Sequence, residues 1–141
     1  MMEQLTTFYI GSDLFGIAVM NVQEVTGPMA VVPVPLAPAF VRGLVNLRGQ
    51  IATALGLREL FCKGESNTEQ ASVVCKMDGN LISLLVDSIG DVVEVDVVKF
   101  EPPPDTIPPG VRHFIKGIYK MDGVLLSVID PDALSRELNK E

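Results

Sequence analysis

Two stretches of this chain repeat each other. FVRGLVNLRGQIATALG (Phe40–Gly56) and FIKGIYKMDGVLLSVID (Phe114–Asp130) align without a gap at a spacing of 74 residues. Phe40/Phe114, Gly43/Gly117 and Gly49/Gly123 are identical. Val41/Ile115, Arg42/Lys116, Leu44/Ile118, Leu47/Met121, Ile51/Leu125 and Thr53/Ser127 are conservative pairs. The repeat extends upstream, where Gly16–Val25 aligns with Ser83–Val92 at a spacing of 67 and sets Glu24 against Asp91. The second half absorbs the difference in its proline-rich segment. Each half then reads strand, connection, hairpin, helix start, which describes one small barrel built twice. At about 60–70 residues neither half buries enough surface by itself, so the two must share a core.

Composition agrees with a β-rich, turn-rich fold. The 141 residues are 48% hydrophobic, mostly Val, Leu and Ile, with 12 Gly, 10 Pro and no Trp. The formal net charge of −7 argues against a nucleic-acid partner, which needs a basic stripe to neutralise phosphate. It disfavours an anionic membrane surface for the same reason. No apolar run approaches the roughly 20 residues that span a bilayer. The opening MMEQLTTF lacks the basic and apolar regions of a secretory signal. Cys62 and Cys75 stand apart from each other and from the single histidine, His113, so the expectation is reduced cytoplasmic thiols with neither metal nor cofactor.

Along the chain, LTTFYIG and LFGIAVMNVQEV predict a hairpin turning at Gly11–Asp13. VPVPLAPAFVRG predicts an extended segment and a helical turn from Pro38 to Gly43. LVNLRGQIATAL is a second hairpin, GLRELF a short helix, and Cys62–Gln70 a polar loop. ASVVCKMDGNLISLLVD is a hairpin on Asp78–Gly79, and IGDVVEVDVVKF continues as strand. EPPPDTIPPGVRH (Glu101–His113) reads as a surface connection that is neither helix nor inner strand. After the hairpin on Asp122–Gly123, Asp130 caps a terminal helix with Pro131 at its first position and Leu134 and Leu138 on one face. ISLLV and VLLSVI are apolar on both faces, as strands packed between two layers are. The acidic residues Asp87, Asp91, Glu94 and Asp96 read as a solvated sheet edge.

One position breaks a local rule. Tight hairpin turns favour Asn or Asp before Gly, because these residues tolerate positive φ. Asp78 and Asp122 follow that rule, whereas Arg48 does not. Such violations concentrate at functional sites, although a solvated arginine in a longer loop would also account for it.

With FGIAVMNVQEV, VPVPLAPAFVRGLVNLRGQI and LLVDSIGDVVEV in that order, the chain resembles the CheW-like family of bacterial chemotaxis coupling proteins over nearly its whole length. The strongest element is the composite of Gln23-Glu24-Val25, Pro38-x-Phe40-Val41-x-Gly43 and Asn46-Leu47-Arg48-Gly49. The resemblance implies two five-stranded SH3-like β-barrels sharing a core, with short helices at connections and at the C-terminus. It makes residues 1–141 a single domain of approximate halves 12–70 and 71–141, whose N-terminal strand can exchange to the second barrel.

It further implies a cytoplasmic, non-catalytic adaptor at membrane-associated receptor arrays. Its partners would be chemoreceptor tips and the regulatory domain of a CheA-type histidine kinase. Kinase and adaptor share a fold in that family and alternate in a ring. Positions matching Val22, Glu24, Gly43 and Arg48 carry partner coupling there. Each also has a structural reading: Gly43 can end a helical turn, Val22 can be core, and Glu24 can pair with Arg48, where the second copy would face Asp91 with Asp122.

The chain departs from the family after the first hairpin, where Ile51-Ala52-Thr53-Ala54-Leu55-Gly56-Leu57 stands for a pattern near I-V-P-V-I-D-L. The missing Asp removes an N-cap, and the two alanines require larger neighbours opposite. A variant serving a non-flagellar chemosensory pathway fits that departure. A small-ligand-binding barrel is a further alternative, although barrels of this size are filled by side chains. Catalysis is not expected: no nucleophile elbow, phosphate loop or metal spacing occurs, and only a Cys75–His113 or a Ser–His113 pair is formally possible.

Overall fold

A computed structural model describes residues 1–61 and 69–139. Most of the predicted polar loop, with Cys62, lies outside them. Strands β1 (Met2–Ile10), β2 (Asp13–Ala18), β3 (Val22–Thr26), β4 (Val41–Leu47) and β5 (Gln50–Gly56) are followed by helix α1 (Leu57–Leu60). Strands β6 (Ala71–Met77), β7 (Asn80–Val86) and β8 (Ser88–Asp96) come next, then helix α2 (Pro109–Arg112). Strands β9 (Ile115–Met121) and β10 (Val124–Ile129) lead into helix α3 (Pro131–Leu138).

The ten strands form two five-stranded sheets, a first in the order β3-β6-β7-β5-β4 and a second in the order β8-β1-β2-β10-β9. Adding five to each strand number of the first sheet, counting round from ten to one, reproduces the second. The repeat is therefore β1–β5 and β6–β10, and the two copies exchange their first hairpins. Hairpin β1–β2 lies in the second sheet beside β8–β10, and hairpin β6–β7 lies in the first beside β3–β5. Sheet membership changes between β2 and β3 and again between β7 and β8, because parallel pairing of β7 with β5 and of β2 with β10 completes each sheet.

Neither sheet is closed by a ladder between its outer strands. A crossing segment bridges each gap instead. In the first sheet Val32 N–H donates to Leu44 O and Leu44 N–H to Val32 O, both at 2.8 Å. In the second, Glu101 and Ile118 exchange the same two bonds at 3.0 and 2.8 Å. Leu44 and Ile118 are repeat partners, so the device is duplicated with the fold.

Burial follows from this arrangement. The central core lies between the sheets and joins Phe8, Phe15 and Ile17 to Leu55, Val73, Leu84, Phe114 and Leu134. Each curled sheet also has its own filled interior. Val45, Leu47, Ala52, Ala54, Val74 and Leu85 fill the first, and Leu5, Val95, Tyr119, Leu126 and Val128 fill the second. Strand β7 is buried on both faces from Ile82 onward, as its apolar run predicts, whereas β10 begins with exposed Val124 and Leu125.

Polar ties connect the layers. Asp87, the one residue between β7 and β8, accepts from Arg58 at 2.7 Å and from Gly11 N–H at 2.5 Å. It thus departs from the solvated edge expected of it. The remaining acidic residues do lie on β8, an outer strand. Asp130 caps α3 by accepting from Asp132 and Ala133 N–H. Ser135 on that helix donates to Asp78 at the β6–β7 turn at 2.6 Å.

Two local expectations are corrected. The turn that starts at Pro38 is a single one, closed by Val41 N–H donating to Pro38 O at 2.9 Å, and it ends before Gly43 because Val41 already begins β4, paired with β5 from Val41↔Leu55 onward. The proline-rich connection does contain one helical turn, α2, with Pro109 at its first position, where a missing N–H costs nothing.

Candidate interaction site at the first hairpin tip

The β4–β5 turn places Arg48 at φ 55° and Gly49 at φ 90°. Gly49 N–H is satisfied by the Asn46 side chain at 2.9 Å. A left-handed arginine is unfavourable, since its Cβ crowds the following carbonyl. Asp78 adopts the same conformation at φ 50°, while Asp122 is absent from the positive-φ residues. So the aspartate of the second copy sits in a turn that does not require it, and the arginine sits in one that does.

What holds Arg48 there is Glu24. The Arg48 guanidinium donates to Glu24 Oε2 across the gap between the hairpin tip and β3. This bond and the carboxylate charge push the arginine pKa up further. The arginine side chain remains 77% exposed and the glutamate only 23%. Glu24 Oε1 is buried without a partner, so the carboxylate is aimed inward at the sheet mouth. The result is an anchored cation whose remaining donors face solvent.

Gly43 and Val22 lie on the same two elements as this pair, each held there for a different physical reason. Gly43 has φ 147°, and a Cβ there would stand 2.2 Å from Val32 O. Its repeat partner Gly117 would meet the Phe100 ring at 2.1 Å and Glu101 O at 2.6 Å. The glycine shared by the two copies is thus explained by the crossing segment and not by a helix end. Val22 opens β3 and packs, partly buried, against the central core. The structure therefore brings Glu24 and Arg48 into contact, sets Gly43 on the hairpin that carries Arg48, and leaves Val22 on the strand that carries Glu24.

Some surface features are not singled out by sequence reasoning. Met20 and Val98 sit in short 3₁₀ turns following β2 and β8 and are 90% and 82% exposed. Ile51, Leu44 and Val32 are exposed beside the hairpin. Large apolar side chains outside the core become legible only once the two sheets are assigned, because the sequence shows them as ordinary strand residues.

The departure at Ala52-Thr53-Ala54-Leu55-Gly56 lies inside the protein. Ala52 and Ala54 are fully buried, matched by Val45, Leu47, Val74 and Leu85 and by partly buried Met29, Val31 and Leu81. Gly56 is the uncapped N-cap of α1. A Cβ there would lie 2.0 Å from Glu59 Oε2 and 3.1 Å from Arg42 Cγ. Arg42 in turn donates to Glu59 at 3.1 Å and to Glu69 at 2.8 Å.

Cys75, one half of the formal Cys75–His113 pair, is not poised as a nucleophile. Cys75 is fully buried, and burial pushes its thiol from 9.0 up to about 12, so it stays protonated. His113 is exposed and meets the edge of Phe114. Among the described residues no group of His, Cys, Asp or Glu is placed to hold a metal ion. No helix there is long and apolar enough to cross a membrane.

Comparison with known proteins finds relatives along nearly the whole chain. A family model described as the CheW-like domain matches residues 4–139. The chain is 31% identical to a chemotaxis protein CheW of Treponema pallidum, over 97% of this chain and 85% of that protein. It is 27% identical to a chemotaxis protein CheW of Rhizobium meliloti, over 94% of this chain and 86% of that one. Among solved structures, the scaffolding protein TtCheW of Thermoanaerobacter tengcongensis superposes with a TM-score of 0.80 at 28% identity, covering 92% of this chain and 90% of the other.

Proposed function

The chain belongs to the CheW-like family, and from that premise we propose that it is a non-catalytic adaptor coupling chemoreceptors to a CheA-type histidine kinase. Its place would be a cytoplasmic face of a membrane-associated receptor array, and its direct partners the receptor tips and the kinase regulatory domain. The names of its relatives support a scaffold in chemotaxis. The observation that carries the finer reading is the Glu24–Arg48 pair.

An arginine in a left-handed turn, anchored by a carboxylate and still largely exposed, is an arrangement that costs the isolated chain and serves a surface that something else meets. Its remaining donors fit a carboxylate or a backbone carbonyl on a partner. Exposed apolar side chains beside it supply the area, and the charge sets register and encounter rate. Val22 and Gly43 act through the strand and hairpin that position the pair. Weak pairwise contacts suffice where an array holds many copies.

The test is kinase autophosphorylation with receptor tips and the cognate kinase. Stimulation is expected to require this protein, to be lost in Arg48→Glu and in Glu24→Arg, and to stay lost in the double exchange, which restores the pair but sets a carboxylate where the partner meets a cation. No stimulation by the native protein overturns the coupling role. Return of stimulation in the double exchange would show that coupling needs only the pair itself and that no partner reads the Arg48 charge.

A further inference from the structure

Both sheets contain a β-bulge at the same place, and each fills it in its own way. Between the pairs Val22↔Cys75 and Val25↔Val73, strand β3 has two residues, Gln23 and Glu24, against the single Val74 of β6. Between Ile89↔Phe8 and Val92↔Thr6, strand β8 has Gly90 and Asp91 against the single Thr7 of β1. A spacing of 67 residues relates every residue of one bulge to its counterpart in the other. The irregularity therefore belongs to the fold. A bulge leaves one residue outside the ladder and re-aims the side chain it carries.

In the second sheet the bulge is closed. Thr7 Oγ1 donates to Asp91 O at 2.5 Å, and a Cβ on Gly90 would run into that same hydroxyl. No side chain fits there. In the first sheet Val74, which has no hydroxyl, stands where Thr7 does, and Gln23 takes the place of Gly90. Gln23 is exposed on an outer strand. The geometry that shuts one copy thus presents a side chain in the other, next in the chain to the residue that anchors Arg48.

That side chain is a primary amide. Its carbonyl accepts and its NH₂ donates in one plane, so it can meet the N–H and C=O of a main-chain peptide group with two hydrogen bonds. It adds no charge beside the Glu24–Arg48 pair.

We propose that Gln23 is a specificity-determining residue of the interaction site, holding a main-chain peptide group of the protein that meets Arg48. The proposal rests on the reading of Arg48 as a partner contact. The test measures binding of the kinase regulatory domain and of receptor tips, each separately, to the intact native protein and to Arg48→Glu, Gln23→Ala and Gln23→Met. Whichever binding Arg48→Glu abolishes should weaken about tenfold in Gln23→Ala, roughly threefold for each of two neutral hydrogen bonds. Gln23→Met, which keeps the length of the side chain without its amide, should weaken it as much. Chemical denaturation midpoints of both Gln23 variants should match the native one, because the side chain is exposed.

Native-like binding by Gln23→Ala, where Arg48→Glu has lost it, overturns the proposal and leaves the reading of Arg48 standing. Native-like binding by Gln23→Met alone also overturns it, since contact area and not the amide would then be at work. A weakened binding that comes with a lowered midpoint would make Gln23 a structural residue and overturn it equally. Should Arg48→Glu spare both bindings, the reading of Arg48 itself falls, and this proposal with it.

Discussion

Arg48 in the β4–β5 turn and Glu24 in β3 close the mouth of the first sheet through a guanidinium–carboxylate bond, at the cost of a left-handed arginine. The pseudo-equivalent positions in the second sheet are both acidic, Asp122 and Asp91, and cannot pair. The two halves share a backbone plan and differ in the charge that guards it.

Arg48→Gly separates stability from function. Glycine adopts φ 55° without strain, and an exposed ion pair contributes little. Chemical denaturation should show a variant at least as stable as the native protein. Kinase stimulation should nonetheless be lost. A clearly destabilised variant would mean that the pair holds the sheet together and is not kept for a partner.

Gly43→Ala and Gly117→Ala probe the crossing segments. An added Cβ meets Val32 O in the first case and the Phe100 ring and Glu101 O in the second. Both should destabilise, by roughly 2–4 kcal/mol. Gly43→Ala should cost more, because φ 147° adds backbone strain and its carbonyl contact, 2.2 Å to Val32 O, is closer than the 2.6 Å from Gly117 to Glu101 O. Amide exchange should accelerate at Val32 and Leu44 in one variant, and at Glu101 and Ile118 in the other. Unchanged exchange at those amides would refute the steric account.

Gly56→Asp restores the N-cap typical of the family, yet should destabilise here. The introduced side chain would enter the space held by the Glu59 carboxylate, with like charge. Adding Glu59→Ala, which copies the second repeat's Ala133, should reverse the sign and let the introduced carboxylate cap α1 for about 1 kcal/mol. Stabilities of the two single variants and the double variant form a cycle, and additivity within about 0.5 kcal/mol would count against direct contact.

Cys75 predicts an alkaline limit to stability. Its folded thiol titrates near pH 12 and an ordinary thiol near 9.0. Below pH 9 both states hold the proton and nothing changes. Between 9 and 12 only the unfolded chain releases it, so the unfolded state binds fewer protons and stability falls as pH rises. Cys75→Val should flatten that part of the pH profile, with denaturation midpoints compared at about pH 8 and about pH 10.5, on either side of the unfolded thiol's titration. A native profile already flat there would show that the thiol is more accessible than its burial indicates.

Much of this protein is legible in its residue order. The repeat, the hairpins, the Asp130 cap and the two-sided burial of β7 follow from turn chemistry and from the period of apolar residues, which act over a few neighbours. Even the Glu24–Arg48 contact is suggested by opposite charges at one pair of repeat positions and like charges at the other. What the order could not decide is which hairpin joins which sheet. Hairpins β1–β2 and β6–β7 have the same local pattern, and either could satisfy β3–β5 or β8–β10 by the same bonds. Only the packing of both sheets on one central core settles the exchange. Gly43 illustrates the same limit: its neighbours in sequence suggest a helix end, whereas the atom that excludes a side chain is the carbonyl of Val32, brought across by the tertiary fold.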